Sequence, residues 1–579
     1  MKKIMNTSLS MKNVGETVEL HGWVSKKRNL GGLIFIDLRD RSGIIQLVIR
    51  PEDGLDELAN ELRNEYVIKV NGTVSERENK NDKLATGDIE ILVKELEILN
   101  TSLEIPFEIS DDTTALEDTR LKYRYLDLRR TKLQENIITR HKLTMAIRNF
   151  LDKENFLEIE TPILCKSTPE GARDYLVPSR VNAGKFYALP QSPQIFKQLL
   201  MVGGMERYFQ IAKCFRDEDL RADRQPEFTQ VDIEMSFVDE DDVMSMAERM
   251  IASVFKEVKN IDIELPLMRM PYDEAMDKYG SDKPDLRFGL PIQDITGVFE
   301  NTEIGFIKSI IDEGGIVNCL VVNAAGTYSR KELDKLTDYV KTYRASGLAY
   351  LKLENELTGS LVKNMTDTEK ENIVSKLNLK ENDLVLIVSG KKNIVKVSLG
   401  ALRCKLGSDL GLIDSNDYKL LWVTDFPSFE YSEEEGRYMA CHHPFTAPKD
   451  TDIKHLEGDL SKCYSKAYDM VINGYEAGGG SIRIHNQDVQ SKMFKALGLS
   501  DEEVKEKFGF FVDALKYGTP PHGGLAFGLD RLTMLLVKTE NIRDVISFPK
   551  TASASCLMSE APNLVADHQL KELHIDLRK

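Results

Sequence analysis

The chain has 579 residues, enough for three or four domains, and its 41% hydrophobic and 30% charged content is that of a soluble globular protein. No apolar run is long enough to span a bilayer and residues 1–10 lack a signal-peptide apolar region, while the net charge of −17 counts against a nucleic-acid partner unless the cations are grouped. The seven scattered cysteines, at positions 165, 214, 319, 404, 441, 463 and 556, have no CxxC spacing, which argues for reduced thiols in a cytosol and against a zinc site.

Residues 1–100 read as five short strands, VELHGWVSKKR, GLIFIDLRD, GIIQLVI, YVIKVNGTV and IEILVKELEIL, with a helical segment at 54–64. Five strands and one helix predict a small barrel of the OB-fold kind. Such barrels bind single-stranded nucleic acid by aromatic stacking beside cations. Phe35 is placed for that next to Lys26, Lys27 and Arg28, but it reads as core too, between Ile34 and Ile36. A second cationic group is KYRYLDLRRTK at 122–132; either group can also be a solvated surface run. A polar hinge with Pro106 follows the barrel. An amphipathic helix is expected over 133–154, with Ile137, Ile138, Met145, Ile147, Phe150 and Leu151 apolar, then a strand, FLEIETP, that Pro162 ends.

Residues 165–180 form a polar loop long enough to be a lid, in which Glu170 could neutralise an ammonium group. Gln194 and Lys197 fall one helical turn apart. The stretch from Arg207 to Glu234 parses as strand, charged loop, strand. Its loop carries Arg216, Arg221 and Arg224; its second strand alternates, with Thr229, Val231, Ile233 and Met235 on one face and Phe228, Gln230, Asp232 and Glu234 on the other. A plain hairpin with one wet face gives the same alternation. Three arginines, a ring and an acidic row suit instead a nucleotide and an ammonium group together.

A helix is expected over 241–259, and residues 290–414 alternate apolar strands with helical stretches, an α+β insertion to which no chemistry is assigned. The pair His442 and His443 lacks a third metal ligand at fitting spacing. Asn473 and Gly474 predict a two-residue type I′ hairpin with Met470 facing Ala477, Val471 facing Glu476, and Asp469 a diagonal neighbour of Glu476. Two carboxylates so related can hold Mg2+. The run Gly478, Gly479, Gly480 has no GKS after it, so it is not a Walker loop. Arg483, between two isoleucines, invites an anion or a surface salt bridge. Arg531 falls in the first turn of a helix after a strand and glycine turn, a place that favours phosphate.

RYFQIAKCFRDEDLRADRQPEFTQVDIE, with its long unusual loop, resembles motif 2 of the class II aminoacyl-tRNA synthetases and in detail that of the bacterial-type aspartyl-tRNA synthetases. The helix with FLEIETP resembles motif 1, GGLAFGLDRLTMLL motif 3, and HGWVSKKRNLGGLIFIDLRDRSGIIQLV the anticodon-binding barrel. ALRCKLG resembles the inserted Gly-Ala-Asp domain, although the chain reads IVSGKK near Ser389 where that triplet is expected. The resemblance implies a multidomain α+β protein: an OB-fold anticodon-binding β-barrel over 1–104, a hinge over 105–132, an antiparallel-sheet catalytic domain over 133–289 and 415–579, and the inserted domain over 290–414.

It also implies the reaction: ATP and aspartate give aspartyl-adenylate and pyrophosphate, and the aspartyl group passes to the terminal ribose of aspartate tRNA. Arg216 and Arg531 are the implied catalytic residues. Glu170, Gln194, Lys197, Arg216, Asp232, His442 and Arg483 are implied to contact aspartate. Arg216, Asp217, Glu218, Gln225, Phe228, Glu476, Gly528, Leu529, Asp530 and Arg531 are implied to contact ATP, with Phe228 stacked on adenine, and Asp469 and Glu476 to hold Mg2+. Arg28, Phe35 and Gln46 would read the anticodon, and Leu30 matches the form that charges only aspartate tRNA. Motif 1 implies a homodimer, and the whole a cytoplasmic enzyme with no membrane partner. Selectivity against asparagine is expected from Arg483 and Lys197, two desolvated cations that would lack a partner without the substrate carboxylate. The rivals are an asparaginyl enzyme, a catalytically dead tRNA-binding protein, and a ligase charging something other than tRNA.

Overall fold

The computed structural model describes residues 4–168, 172–220, 223–323, 328–433 and 435–577. The chain forms two compact units, one from the residues up to Ile138 with Arg543–Leu564, the other from Thr139–Ile542 with the residues after Leu564.

In the first unit, β1 (Thr17–Leu30), β2 (Leu33–Asp40), β3 (Gly43–Ile49), β4 (Val67–Glu76) and β5 (Ile89–Asn100) close into a barrel in the order β1-β2-β3-β5-β4, with the short helix α1 (Asp56–Glu61) between β3 and β4. Period-2 patterning drives the closure: Leu20, Val24, Ile34, Ile36, Leu38, Ile68 and Val70 all point inward and are buried. The expected cationic run 122–132 is divided by burial. Arg124 is internal, donating to Asp127 Oδ2 at 2.7 Å and to the carbonyls of Arg543, Ile546 and Ser547 at 2.8–3.0 Å. Arg130 is buried on the same Asp127 and Arg129 pairs with Glu65, which leaves Lys122 and Lys132 as the exposed cations of that run.

The second unit is built on an eight-stranded sheet. Its strands are β6 (Leu157–Glu158), β7 (Arg207–Phe215), β8 (Glu227–Ser236), β9 (Met268–Pro271), β10 (Leu420–Thr424), β11 (Ala467–Ile472), β12 (Tyr475–Ile482) and β13 (His522–Gly528), ordered β9-β10-β11-β12-β13-β8-β7-β6. Pairing is antiparallel except at the two edges, where β9 and β6 run parallel to β10 and β7. FLEIETP thus contributes only two strand residues, because it is an edge with one neighbour and Pro162 cannot extend a ladder. One face of the sheet packs Val231, Ile233, Met235, Leu525 and Phe527 against the helix Glu240–Lys259, whose N-terminus is closed by an Asp239–Asp242 capping box. The helix α2 (Thr131–Lys153) buries Leu143, Ile147 and Leu151, but Met145, expected on its apolar face, is exposed.

The inserted segment folds as an α+β layer, as its pattern predicts. Five antiparallel strands, ordered Gln293–Asp294, Ile316–Val322, Leu384–Gly390, Ala349–Leu353 and Leu357–Gly359, carry helices that include Lys392–Asp409. All seven cysteines are free. Among the described residues no helix is long and apolar enough to cross a membrane.

Candidate active site

The polar face of the large sheet carries a cavity of about 580 Å3. Gln194, Lys197, Arg216, Asp232, His442, Asp469, Glu476 and Arg483 line it together. Alternation along β8 is what aims Gln230 and Asp232 into the cavity while Val231 and Ile233 enter the core.

At the closed end, Lys197, on the helix Gln194–Val202, reaches Asp232 Oδ1 at 2.7 Å and Glu234 Oε2 at 3.4 Å. Arg483 donates Nε and Nη2 to the two oxygens of Glu234 at 2.9 and 3.0 Å, and Nη1 to Ser481 Oγ at 2.7 Å. Its Nη1 also lies 2.9 Å from His443 Nε2. All four charged side chains are 2% exposed or less. Two cations therefore face two carboxylates. This corrects the expected basis of selectivity: Lys197 and Arg483 are fully desolvated, but they already have partners.

Burial tends to raise both carboxyls. For Asp232 it prevails and the group lies above the usual range; for Glu234, Arg483 and Lys197 outweigh it and hold the group below. Burial and then Arg483 push His442 down to about 4, and burial, Arg483, His442 and Lys197 push His443 well below its ordinary value, so both imidazoles are neutral. Three buried polar atoms here have no hydrogen-bond partner among the described residues: Gln194 Nε2, Asp232 Oδ2 and His442 Nε2. A ligand with both an ammonium and a carboxylate answers the first two, the ammonium on Asp232 and the carboxylate on Gln194.

At the other end stand Arg216, Asp469 and Glu476. Arg216 lies 5.1 Å over the ring of Phe228, so that ring carries the guanidinium on one face. Asn473 and Gly474 adopt positive φ, as a type I′ turn requires, and Val471 faces Glu476. The register then departs from expectation. A bulge at Ala477, between the Val471 and Met470 pairs, sets Met470 against Gly478 and Asp469 against Gly479, not Met470 against Ala477. The glycine run allows it, since a Cβ on Gly478 would lie 2.4 Å from Phe527 Cδ1. A Cβ on Gly479 would lie 2.2 Å from Asp469 Oδ1 and 3.6 Å from Glu476 Oε1, so the absent side chain leaves both carboxylates room to converge. Burial, then Glu476 and Asp282, raise Asp469 well above the usual range. A carboxylate pair of this kind, Asp469 half-buried and Glu476 exposed, with Glu476 repelling the charge on Asp469, fits a divalent cation, with phosphate and water completing its shell. Among the described residues no cluster of three or more His, Cys, Asp or Glu is placed to hold a metal alone.

The remaining residues expected to contact ATP do not line this cavity. Arg531, in the first turn of the helix Leu529–Val537, donates Nη1 to the carbonyl of Glu476 at 2.7 Å and pairs with Asp223 at 3.2 Å. Asp217 pairs along the backbone with Arg173, and Glu218 bonds Arg224 at 2.9 Å. Gln225 is buried, Leu529 is core, and Gly528 pairs with Gln230. Asp530 turns inward, accepting from the Thr229 N–H at 2.7 Å and pairing with Arg140, so its side chain ties a helix to β8. Glu170 and Arg221 lie outside the described residues. Sequence reading missed Ser192, Asp282, Thr446 and Ser481, which line the cavity as isolated polar residues in loops or mid-strand and carry no periodic signal.

In the barrel, the alternation that buries Ile34 and Ile36 turns Phe35 outward, opposite Arg28. Arg28 donates to Asp37 Oδ1 at 2.8 Å and Gln46 Oε1 at 3.3 Å, and Gln46 donates to Glu90 at 2.8 Å. The three residues expected at the anticodon thus share one barrel face, and Leu30 stands 62% exposed at the end of β1.

Residues 116–552 match the model of the family "tRNA synthetases class II (D, K and N)", and residues 18–99 that of the "OB-fold nucleic acid binding domain". The chain is 58% identical over 568 residues to a protein named Aspartate--tRNA ligase in Geobacillus kaustophilus, covering 97% of this chain and 96% of that one. It is 56% identical over 571 residues to a protein named Aspartate--tRNA(Asp/Asn) ligase in Anoxybacillus flavithermus, covering 98% and 96%. Among solved structures it shares its fold with asparaginyl-tRNA synthetase from Pyrococcus horikoshii, at a TM-score of 0.60 and 19% identity over 95% of this chain and 98% of that one. A putative aspartyl-tRNA synthetase from Leishmania major gives 0.58 and 21% over 93% and 92%.

Proposed function

Because this chain belongs to the class II tRNA synthetases of the D, K and N group, we propose that its cavity activates L-aspartate with ATP and that the chain then transfers the aspartyl group to aspartate tRNA. The observation that carries the reading is the single cavity with a zwitterion's unmet partners at one end and a guanidinium beside paired carboxylates at the other.

The aspartate ammonium bonds Asp232 Oδ2 and its α-carboxylate is steered by Gln194 toward the α-phosphorus. The carboxylate oxygen attacks, pyrophosphate leaves, and the mixed anhydride aspartyl-AMP forms; a ribose hydroxyl of tRNA later displaces AMP. Arg216, which forms no ion pair among the described residues, stabilises the charge growing on the α-phosphate. Mg2+ held by Asp469 and Glu476 would supply positive charge to the phosphate oxygens. Arg531 stands behind Glu476 for the leaving pyrophosphate. Selectivity rests on the hydrogens of Lys197 and Arg483 that Asp232 and Glu234 leave unused: a side-chain carboxylate accepts them, whereas asparagine's NH2 turns protons toward donors. Phe35, Arg28 and Gln46 contact the anticodon, with stacking on the ring. Exposed Met145, Leu157, Ile163 and Leu164 in the motif 1 region support a homodimer, and the free cysteines suit a cytoplasmic enzyme.

Charging purified aspartate and asparagine tRNAs with labelled aspartate tests this directly. Aspartate-dependent pyrophosphate exchange with charging of aspartate tRNA alone is expected. Absence of exchange overturns the proposal, and equal charging of both tRNAs overturns the specificity read from Leu30.

A further inference from the structure

One route from the inserted domain to the carboxylate end of the cavity runs through the segment 279–288, whose Asp282 lines that cavity. This segment follows the helix Tyr272–Tyr279 and is gripped from the other side by the inserted helix Lys392–Asp409. Arg403 of that helix is fully buried. Its guanidinium lies 4.8 Å from the ring of Tyr279 and 4.1 Å from that of Phe288, and Nη2 donates to the carbonyls of Asp285 and Phe288 at 2.8 Å each. One turn earlier the backbones touch: a Cβ on Gly400 would sit 2.6 Å from the Gly280 carbonyl oxygen, and Lys396 pairs with Asp277. A fully buried arginine whose Nη2 donates to two loop carbonyls fixes a backbone path.

That path leads to the site. Asp285 packs beneath the hairpin turn, with its Cβ 3.1 Å from where a Cβ on Gly474 would be. The same hairpin carries Asp469 and Glu476. Between the two clamps, at Gly280 and Asp285, the segment sends Asp282 into the cavity beside that carboxylate pair. Neither Arg403 nor Asp282 has a part in the chemistry derived above.

We propose that Arg403 is a positioning residue through which the inserted domain holds Asp282 beside Asp469 and Glu476, where Asp282 orders the water around the bound cation–nucleotide. The proposal rests on the reading of Asp469 and Glu476 as the cation end. Mg2+ keeps several waters, and among the described residues Asp282 does not join Asp469 and Glu476 in a three-carboxylate metal cluster, so Asp282 acts on the hydration shell.

The test compares Arg403→Gln, Asp282→Asn and the double variant in the full-length protein. Each single change raises the Mg2+ needed for half-maximal aspartate-dependent pyrophosphate exchange and the KM for ATP by about tenfold. The KM for aspartate stays at the wild-type value, and the Mg2+–ATP concentration that half-saturates thermal protection shifts by the same factor. The double variant is no worse than Asp282→Asn alone. Multiplied effects in the double variant, or equal losses in both KM values, overturn the proposal. If Arg403→Gln does not fold, Lys396→Met on the same docking face takes its place in the comparison. Asp469→Asn is the separate control: if it leaves the Mg2+ dependence unchanged, the reading of the carboxylate pair fails, whatever Arg403 does.

Discussion

Arg483 and Glu234 form a bidentate pair whose side chains are 2% and 0% exposed. Removing one partner of such a pair strands the other, so Arg483→Ala should cost about 3–5 kcal/mol of stability as well as aspartate activation. The double change Arg483→Ala with Glu234→Gln should regain much of the melting temperature in calorimetry and none of the pyrophosphate exchange. Recovery of exchange would mean that the arginine only neutralises Glu234. His442 gives a test by pH. Its imidazole is lowered from 6.5 to about 4, so between those values the unfolded chain binds the proton and the fold does not. Stability should fall as pH falls through that window, by on the order of 3 kcal/mol from this one group. His442→Gln should flatten the acid limb of the melting curve; an unchanged limb would place the loss elsewhere.

The hairpin β11–β12 shows what an element adds. Its turn was legible, because Asn473 and Gly474 tolerate positive φ where most residues do not. Its register was not, because the bulge is set by Phe527 of β13 pressing on the glycine run, a contact with no local signature. The consequence is a half-buried carboxylate whose ionisation is penalised. Asp469 has a folded pKa raised well above its unfolded value, so without metal its ionised form costs stability, and the cost grows as pH rises toward that folded pKa. Asp469→Asn should therefore raise the melting temperature of the metal-free protein, more at mildly alkaline than at mildly acidic pH, while activation falls. A lower melting temperature would refute the strain. The neighbouring Gly479→Ala would drive a Cβ against Asp469 Oδ1, so it should weaken Mg2+ dependence without that stabilisation.

At the scale of the molecule, the barrel and the large sheet are separate units with separate cores. Phe35→Ala should therefore leave aspartate-dependent pyrophosphate exchange untouched and raise the KM for tRNA about tenfold or more, since a stacked base contributes roughly 1–3 kcal/mol. A change in exchange, or none in the KM for tRNA, would contradict this division. The net charge of −17 is consistent with a tRNA partner only if cations are placed locally, and here Lys26, Lys122 and Lys132 are exposed while Arg124 and Arg130 are internal. Residues 543–564 join the barrel's unit although they follow the catalytic helix, through carbonyls that accept from Arg124.

Period, turn chemistry and motif spacing belong to the chain itself. They sufficed for the closed barrel, the alternating face of β8, the type I′ turn, the α+β insertion and the family, because each depends on neighbours two to four residues away. Which buried charges already have partners was decided by the tertiary structure alone. Lys197, Asp232, Glu234 and Arg483 look like an unpaired acidic row and two free cations in one dimension. In three they form a balanced set, beside which Asp232 Oδ2 and the neighbouring Gln194 Nε2 have no hydrogen-bond partner among the described residues. The inward turn of Asp530 and the hold of Arg403 on the Asp282 segment have the same cause: electrostatic and hydrogen-bond satisfaction is settled by distance in space, which separation along the chain does not encode.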